Sequence, residues 1–423
     1  MNKPFWFLFS AQTISSFGDY FGILALQWII YKETGSLLAM GSLMLTFGIP
    51  EIIVRLLGAP IIDRCNKPRL MVLLDFFRFL AFFAPAILGI FGWVAIWPIY
   101  VSAFFIGTCT ALYNPASMSI LPSIIKGEKL VRSNSLLDTS MYASVIISPG
   151  LAGAFIKYVG AYQSLLVDAI SYLLAAILVK NLSSYIEIKK KEKNIVGIKG
   201  YLTEMVEGIK FFKYAPALLI VMLVVAVKNM SSMAFSTMVL PFGLKILHLD
   251  TFQVGLLSSA TAVGLLVGSL IVAAIGDMNN RRMPMVGSCF FQGILYMTLG
   301  FTKIYWVAMI VFFLLGICGP FFGSYSSSIY GRLVPEELRG RVMSARLLVG
   351  GMLQPVGSYL GGAVSSLYGI PFLFIGAGIV PAVTAFVAYY IPKLKDIDGE
   401  LTELFIPTNP TKSLQVKNET HSL

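Results

Sequence analysis

The chain has 423 residues, 57% of them hydrophobic and only 13% charged, with a formal net charge of +11. Soluble domains carry roughly a quarter charged residues, and a fold of this length cannot hide so much apolar surface from water, so a soluble protein is excluded. The positive excess does not point to nucleic acid, because the lysines and arginines fall in alternate loops and no basic patch is interleaved with aromatics.

A bilayer core takes about 20 apolar residues per helix. Runs of that kind occur at 5–31, 36–61, 70–91, 94–115, 133–157, 162–180, 215–241, 252–275, 284–302, 304–327, 342–366 and 371–391. They predict an all-α integral membrane protein of twelve transmembrane helices. The first run is too long for the hydrophobic region of a signal peptide, so no cleaved leader is expected. Span four is followed by Asn114-Pro115-Ala116, and the tightest boundary lies at Thr302-Lys303, between spans nine and ten.

The two halves repeat. Gly58 to Arg69 after span two and Ala273 to Arg282 after span eight each place an acid and then basic residues at the end of an apolar run. Their acids, Asp63 and Asp277, are 214 residues apart; Pro122 and Pro335, in a second pair of matching loops, are 213 apart. Repeats of that size predict two pseudo-symmetric six-helix bundles with a site between them. The expected organisation is an N-terminal bundle over 1–185, a linker over 186–213, a C-terminal bundle over 214–395 and a disordered polar tail over 396–423. Within the linker, Ile188 to Asn194 is a charged, solvated stretch. From Tyr201, the residues Leu202, Met205, Val206, Ile209 and Phe212 recur at the spacing of an amphipathic helix lying on the membrane surface.

Orientation follows from charge. With the N-terminus in the cytoplasm, 25 of the 32 lysines and arginines fall inside, Arg339, Arg341 and Arg346 among them. Only Lys32, Lys157, Lys245 and Lys303 fall outside, which sets both termini in the cytoplasm of a plasma-membrane protein.

Ionisable groups inside a span are costly and so are functional candidates. Asp19, near the middle of span one in a stripe with Ser15, Ser16, Gly18 and Gln27, is a candidate proton-coupling site. The bland alternative is an acid that bonds its neighbours inside the bundle. Asp168, in the outer part of span six, is a second candidate, or else simply reaches external water. Glu51 and Arg55 are four apart on span two, and Asp75 and Arg78 three apart on span three, so each couple can pair. With Asp63, Arg64, Arg69, Asp277 and Arg281 they suggest an inner gate; a static cluster is the alternative. Lys228, mid-span in seven, is a cation that meets either an anionic substrate or an acid across the bundle interface. Gln27, Tyr20, Tyr113, Tyr142, Met233 and Phe322 are candidates to line an adaptable apolar cavity, although membrane helices are rich in such residues anyway. Pro149 and Pro355, in the matching spans five and eleven, are expected to bend their helices. Gly264-x-x-x-Gly268 and Gly357-x-x-x-Gly361 allow close helix approach.

Four widely spaced cysteines (Cys65, Cys109, Cys289, Cys318) and two histidines supply neither a disulfide framework nor a metal cluster. There is no phosphate-cradling GxxxxGK[ST] loop, and no nucleophile pair or carboxylate dyad, so neither ATP hydrolysis nor another enzyme activity is expected, and no cofactor is implied. The expected partners are a small-molecule substrate, protons and the bilayer, with a monomer as the working unit.

Twelve spans in a six-plus-six repeat, with the acid-and-basic loop after spans two and eight, resemble the major facilitator superfamily over about residues 5–391. Gln12-x-x-Ser15-x-x-Gly18-Asp19, Asn114-Pro115-Ala116 and Val334-Pro335-Glu336-Glu337-Leu338-Arg339-Gly340-Arg341-Val342 resemble the bacterial macrolide-efflux and siderophore-export permeases within it. The resemblance implies secondary active export of a drug-like or macrolide-like amphiphile by proton antiport. Alternatives are export of an endogenous siderophore or peptide, lipid flipping, uptake, or a receptor that no longer moves solute. The antiporter run of related exporters reads Ser148-Pro149-Gly150-Leu151-Ala152-Gly153 here, with serine where glycine precedes the proline, and that weakens the antiport expectation.

Overall fold

A computed structural model describes residues 2–57, 65–125, 129–185, 203, 206 and 208–401, and among them every regular element is helical. Asn2 opens α1 (Lys3–Thr34) by accepting the Phe5 N–H at 3.2 Å, with Pro4 in the first turn, where a missing N–H costs nothing. Gly35 ends α1 at φ 61°, a backbone shape that favours glycine. After α2 (Leu37–Leu57), Asn66 and Pro68 open α3 (Lys67–Ile90) in the same manner. Then come α4 (Trp97–Ile124), α5 (Lys129–Tyr158) and α6 (Ala161–Ser183). In the second half, α7 (Pro216–Thr237) runs on through a short helical piece (Val239–Pro241) and a π-turn (Phe242–Ile246). A capping box of Asp250 and Gln253 opens α8 (Thr251–Ile275). The chain then forms α9 (Arg282–Phe301), α10 (Tyr305–Leu333), α11 (Glu336–Met352), α12 (Gln354–Tyr368) and α13 (Ile370–Tyr390).

Each predicted span falls on one of these helices, with span eleven divided between α11 and α12. Ten spans combine the length and apolar composition needed to cross a bilayer. The remaining two predicted spans correspond to α1 and α4, which are 32 and 28 residues long and pack against those helices. Pro355 opens α12 immediately after the break at Leu353, whereas Pro149 lies inside a continuous α5. Two expectations need correction. Asn114-Pro115-Ala116 and Pro122 lie within α4 rather than in loops, because a proline removes one N–H and neighbouring helices tolerate that loss in a membrane bundle. Residues 396–401 are not a free tail: Leu394 and Ile397 are buried, the Gly399 N–H donates to the Asn279 carbonyl at 2.8 Å, and Asp398 accepts the Arg282 N–H at 2.9 Å. The linker over 186–200, Asp63, Arg64 and the chain beyond 401 lie outside the described residues. Of the predicted amphipathic helix, residues 208–211 are helical and lead to Phe211 and Phe212, both buried against the second bundle.

Helix packing repeats across the halves. In the first bundle α1 packs on α5 and α6, α3 on α4 and α6, and α2 on α4. In the second, α7 packs on α12 and α13, α9 on α10 and α13, and α8 on α10. The bundles meet through the matching pairs α5–α8 and α2–α12.

Both interfaces depend on glycine. A Cβ at Gly41 would lie 2.7 Å from the Ser358 carbonyl, and one at Gly362 would lie 2.7 Å from the Leu37 carbonyl. On the other side, Gly153 and Gly255 let α5 and α8 touch backbone to backbone, and Thr251 Oγ1 donates to the Gly153 carbonyl at 2.7 Å. Within the second bundle, Gly264 and Gly268 face the α10 backbone, and Gly357 and Gly361 face α7. Lipid offers no hydrophobic drive for helix association, so such close packing supplies it.

Replacing Gly255 by leucine should overpack the α5–α8 contact at a cost of about 1–3 kcal/mol and part the bundles there. A cysteine placed at buried Thr251 should then react several-fold faster with a soluble thiol reagent than the same cysteine beside an intact Gly255. Equal rates would show that this contact does not hold that end together.

Candidate functional site: a buried charge cluster beside a central cavity

The first bundle encloses charged groups brought from three helices. Arg78 on α3 is 4% exposed, and Asp75, one turn away, is fully buried. Arg78 Nη1 approaches Asp75 Oδ1 at 3.5 Å, a long contact. The guanidinium carbon lies 4.4 Å from the Tyr113 ring centroid and 5.3 Å from that of Tyr172. Tyr172 on α6 also stacks on Phe82 and donates its hydroxyl to Asp19 Oδ1 at 2.5 Å. One turn before Tyr172, Asp168 is fully buried; its Oδ1 accepts from Ser171 Oγ at 3.1 Å, and its Oδ2 has no partner among the described residues. Gly18 and Gly22 make the room: a Cβ at Gly18 would stand 2.6 Å from Asp168 Oδ1. Three carboxyl groups therefore share one guanidinium. As a residue Asp19 is only partly buried, unlike Asp75 and Asp168.

Beside Asp19 lies a cavity of about 260 Å³ between the bundles. Its walls include Tyr20, Gln27, Phe47 and Phe82 from the first half and Met233 and Ser258 from the second. Drug-sized sites typically enclose roughly 300–1,000 Å³, so this one is small as it stands. A second space of about 520 Å³ opens at the end of the molecule where Lys157 Nζ meets Asp250 Oδ2 at 2.8 Å.

The structure brings Asp19, Asp75, Arg78, Asp168 and Tyr113 together and gathers Tyr20, Gln27 and Met233 on one cavity. Several expectations are corrected. Asp168 does not reach external water, because α1 and α3 cover it. Asp75 and Arg78 lie in the bundle interior with Asp19 rather than at a gate. Tyr113 is 4% exposed beneath Arg78, not on a cavity wall. Tyr142 is exposed and does not line the cavity. Glu51 and Arg55 pair at 2.5 Å along α2, as their spacing predicts. Arg69 is exposed at the start of α3.

The Asp277 loop clamps one bundle to itself. Arg281 donates from Nε and Nη2 to the two Asp277 oxygens at 2.8 Å each, and Arg332 Nη1 adds a third contact at 2.8 Å. Arg281 also donates to the Gly399 carbonyl at 2.7 Å, and Tyr325 holds the Gly276 carbonyl at 2.9 Å. All these groups belong to the second half. Among the described residues the ion pair that does join the halves is Lys157–Asp250, at the opposite end. No short-range pattern marks it, since its partners are 93 residues apart and meet only because α5 packs on α8.

Two cations of the second half were read differently from sequence. Lys228 is half-buried on α7 with Nζ 4.9 Å from the Phe322 ring, away from the lining of the central cavity. Arg346, expected as an inner-loop charge, lies on α11 with its guanidinium 4.4 Å from the Tyr330 ring and Nη2 donating to Ser326 Oγ at 2.9 Å. An aromatic face contributes about 0.5–2 kcal/mol, whereas a basic side chain at the centre of a span costs roughly 2.5–3.5 kcal/mol or more. The rings alone therefore leave much of the cost unmet.

Two helical halves joined through glycine contacts, a cavity between them and an ionisable cluster behind its Phe82 wall are the parts of a multi-pass membrane transporter. Residues 8–303 and 222–405 match the family model of the Major Facilitator Superfamily, and the chain belongs to that family. The multidrug efflux pump Tap of Mycolicibacterium fortuitum is 22% identical over 92% of this chain and 96% of its own length. Macrolide efflux protein A of Streptococcus pyogenes is 18% identical over 93% and 97%. Among solved structures, a peptide transporter POT in complex with sulfate superposes with a TM-score of 0.75 at 12% identity, covering 95% of this chain and 96% of that one, and shows the shared fold.

Hydrogen bonds from Arg281 hold the Asp277 carboxyl down at about 2, with the charges of Arg281 and Arg332 adding to the effect. Its folded value is depressed below the ordinary carboxylate value of about 3.9, so its stabilisation is full above about pH 4 and is lost as pH falls toward 2. Thermal unfolding in detergent across that window should show an acid-sensitive component that Asp277→Asn removes. An identical pH profile in the variant would refute this assignment.

Proposed function

We propose that this protein exports small amphiphilic compounds by alternating access, with Asp19 coupling each cycle to proton entry. The observation that carries the reading is Asp19 itself: an acid next to cavity-lining Tyr20, bonded to Tyr172, which stacks on the cavity-lining Phe82, and close to Asp168. The acids of this cluster outnumber its one guanidinium, so in a water-poor interior the excess needs counter-charge, and a proton arriving through the cavity is the smallest supply. The relatives' names, multidrug and macrolide efflux, support export of amphiphiles. The apolar walls with few polar groups suit the same class of cargo.

In this reading the Asp277 end faces the cytoplasm, in accord with the concentration of basic residues there. The Lys157–Asp250 end is then external and closed. Cargo enters from the cytoplasmic side, and parting α5 from α8 and α2 from α12 enlarges the cavity and opens it outward. A macrolide-sized cargo requires that enlargement.

The test is transport in proteoliposomes with an imposed pH gradient. Asp19→Asn should reduce gradient-driven accumulation to background while leaving substrate counterflow in place. Full gradient-driven flux in this variant would remove Asp19 from the coupling role. Tyr172→Phe deletes a single hydrogen bond worth about 0.5–1.5 kcal/mol, or up to about 3 kcal/mol if Asp19 is charged, so flux at a fixed gradient should fall several-fold or more without vanishing.

A further inference from the structure

Two half-buried cations of the second bundle, Lys228 and Arg346, have no ion-pair partner among the described residues. Among the described residues the ion pairs are Glu51–Arg55, Asp75–Arg78, Lys157–Asp250, Asp277 with Arg281 and Arg332, and Arg282–Asp398. Neither Lys228 nor Arg346 is among them. Lys228 has three N–H donors, and none finds a hydrogen-bond acceptor among the described residues; its contact is the face of Phe322. Arg346 donates from Nη2 to Ser326 Oγ and from Nη1, weakly, to Met343 Sδ at 3.8 Å, and lays its plane on Tyr330.

These groups share one wall. Phe322, Ser326 and Tyr330 are four residues apart on α10, so they line one face at intervals of about 6 Å. The α7 and α11 helices that bring the cations are joined where Asn229 Nδ2, next to Lys228, donates to the Gly350 carbonyl, one turn beyond Arg346, at 2.8 Å. Phe322, Ser326 and Tyr330 are themselves buried, whereas Lys228 and Arg346, which lie over them, are each only half-buried.

We infer that Lys228 and Arg346, the latter steadied by Ser326, form a binding site for a compact oxyanion, a carboxylate or phosphate monoester, carried by the transported compound. The inference rests on the export reading for the identity of the cargo, but not on proton coupling. An ammonium and a guanidinium set along one helix face offer charge-assisted donors in the geometry that such a head group accepts. An amphiphile would seat its anionic head between α7 and α11, beside the face of Phe322. The site selects against cationic cargo.

The test measures binding, with no gradient present, to the full-length protein in nanodiscs of phosphatidylcholine. Dodecyl phosphate and dodecanoate are compared by calorimetry with dodecanol and dodecyltrimethylammonium. The anions should bind roughly tenfold to a hundredfold more tightly than the alcohol, as expected for hydrogen bonds to a charged group. Lys228→Gln should lose that advantage without altering the binding of dodecanol, Lys228→Arg should keep most of it, and Arg346→Gln should lose part. Equal binding of anion and alcohol by the native protein, or a loss common to both ligands in Lys228→Gln, overturns the site. In discs containing phosphatidylglycerol, retained binding supports a cargo site, whereas its abolition identifies a lipid head group as the occupant and overturns the cargo assignment. Failure of the coupling reading would look different, with anion binding intact and no proton-driven flux.

Discussion

Arg78 is a guanidinium enclosed in a membrane bundle, and the chemistry of the first half is arranged around the cost of keeping it there. Lipid offers no water to solvate a charge, so the protein supplies two aromatic faces and a neighbouring carboxyl group. Those supports come from α3, α4 and α6, and the last of them, Tyr172, extends the network to Asp19 on α1. One buried charge thus ties most of a six-helix bundle together and leaves a surplus of acid at the cavity edge.

The second half repeats the frame without the charge. Cys289 and Gln292 stand 214 residues after Asp75 and Arg78, the same offset that relates Asp63 to Asp277. Gln292 bonds Tyr296 at 2.8 Å, and Tyr296 stacks on Phe235 with centroids 4.4 Å apart. Phe374 and Phe312 complete this aromatic block, which needs no counter-ion. The halves have therefore divided the work by chemistry. Acid gathers in the first, while in the second an aromatic block stands at the matching place and Lys228 and Arg346 lie elsewhere, on Phe322 and Tyr330.

Backbone contact through glycine gives the junction between halves little elastic range. Side chains that interdigitate can slide, but carbonyls resting on Gly41, Gly153, Gly255 and Gly362 either touch or part. Such a junction favours discrete arrangements over gradual ones, which is the mechanical property alternating access needs. Lys157 and Asp250 lie at the rim of this junction, half exposed. Their pairing is screened by water and salt and is weak enough to break in each cycle.

Membrane class, the order and extent of the apolar runs and the twofold repeat were legible in the sequence because hydropathy and length are local properties. So was the presence of Asp19 and Asp168 inside spans, since an acid in an apolar run stands out wherever it points. The meeting of Asp19 with Arg78, the burial of Tyr113 and the path of Arg346 from apparent loop charge to the Ser326 wall were not legible. Membrane helices are apolar nearly all round, so their sequence does not say which face turns inward. That rotation is decided only when twelve spans pack together, and with it which charges share an interior and which bridge the two halves.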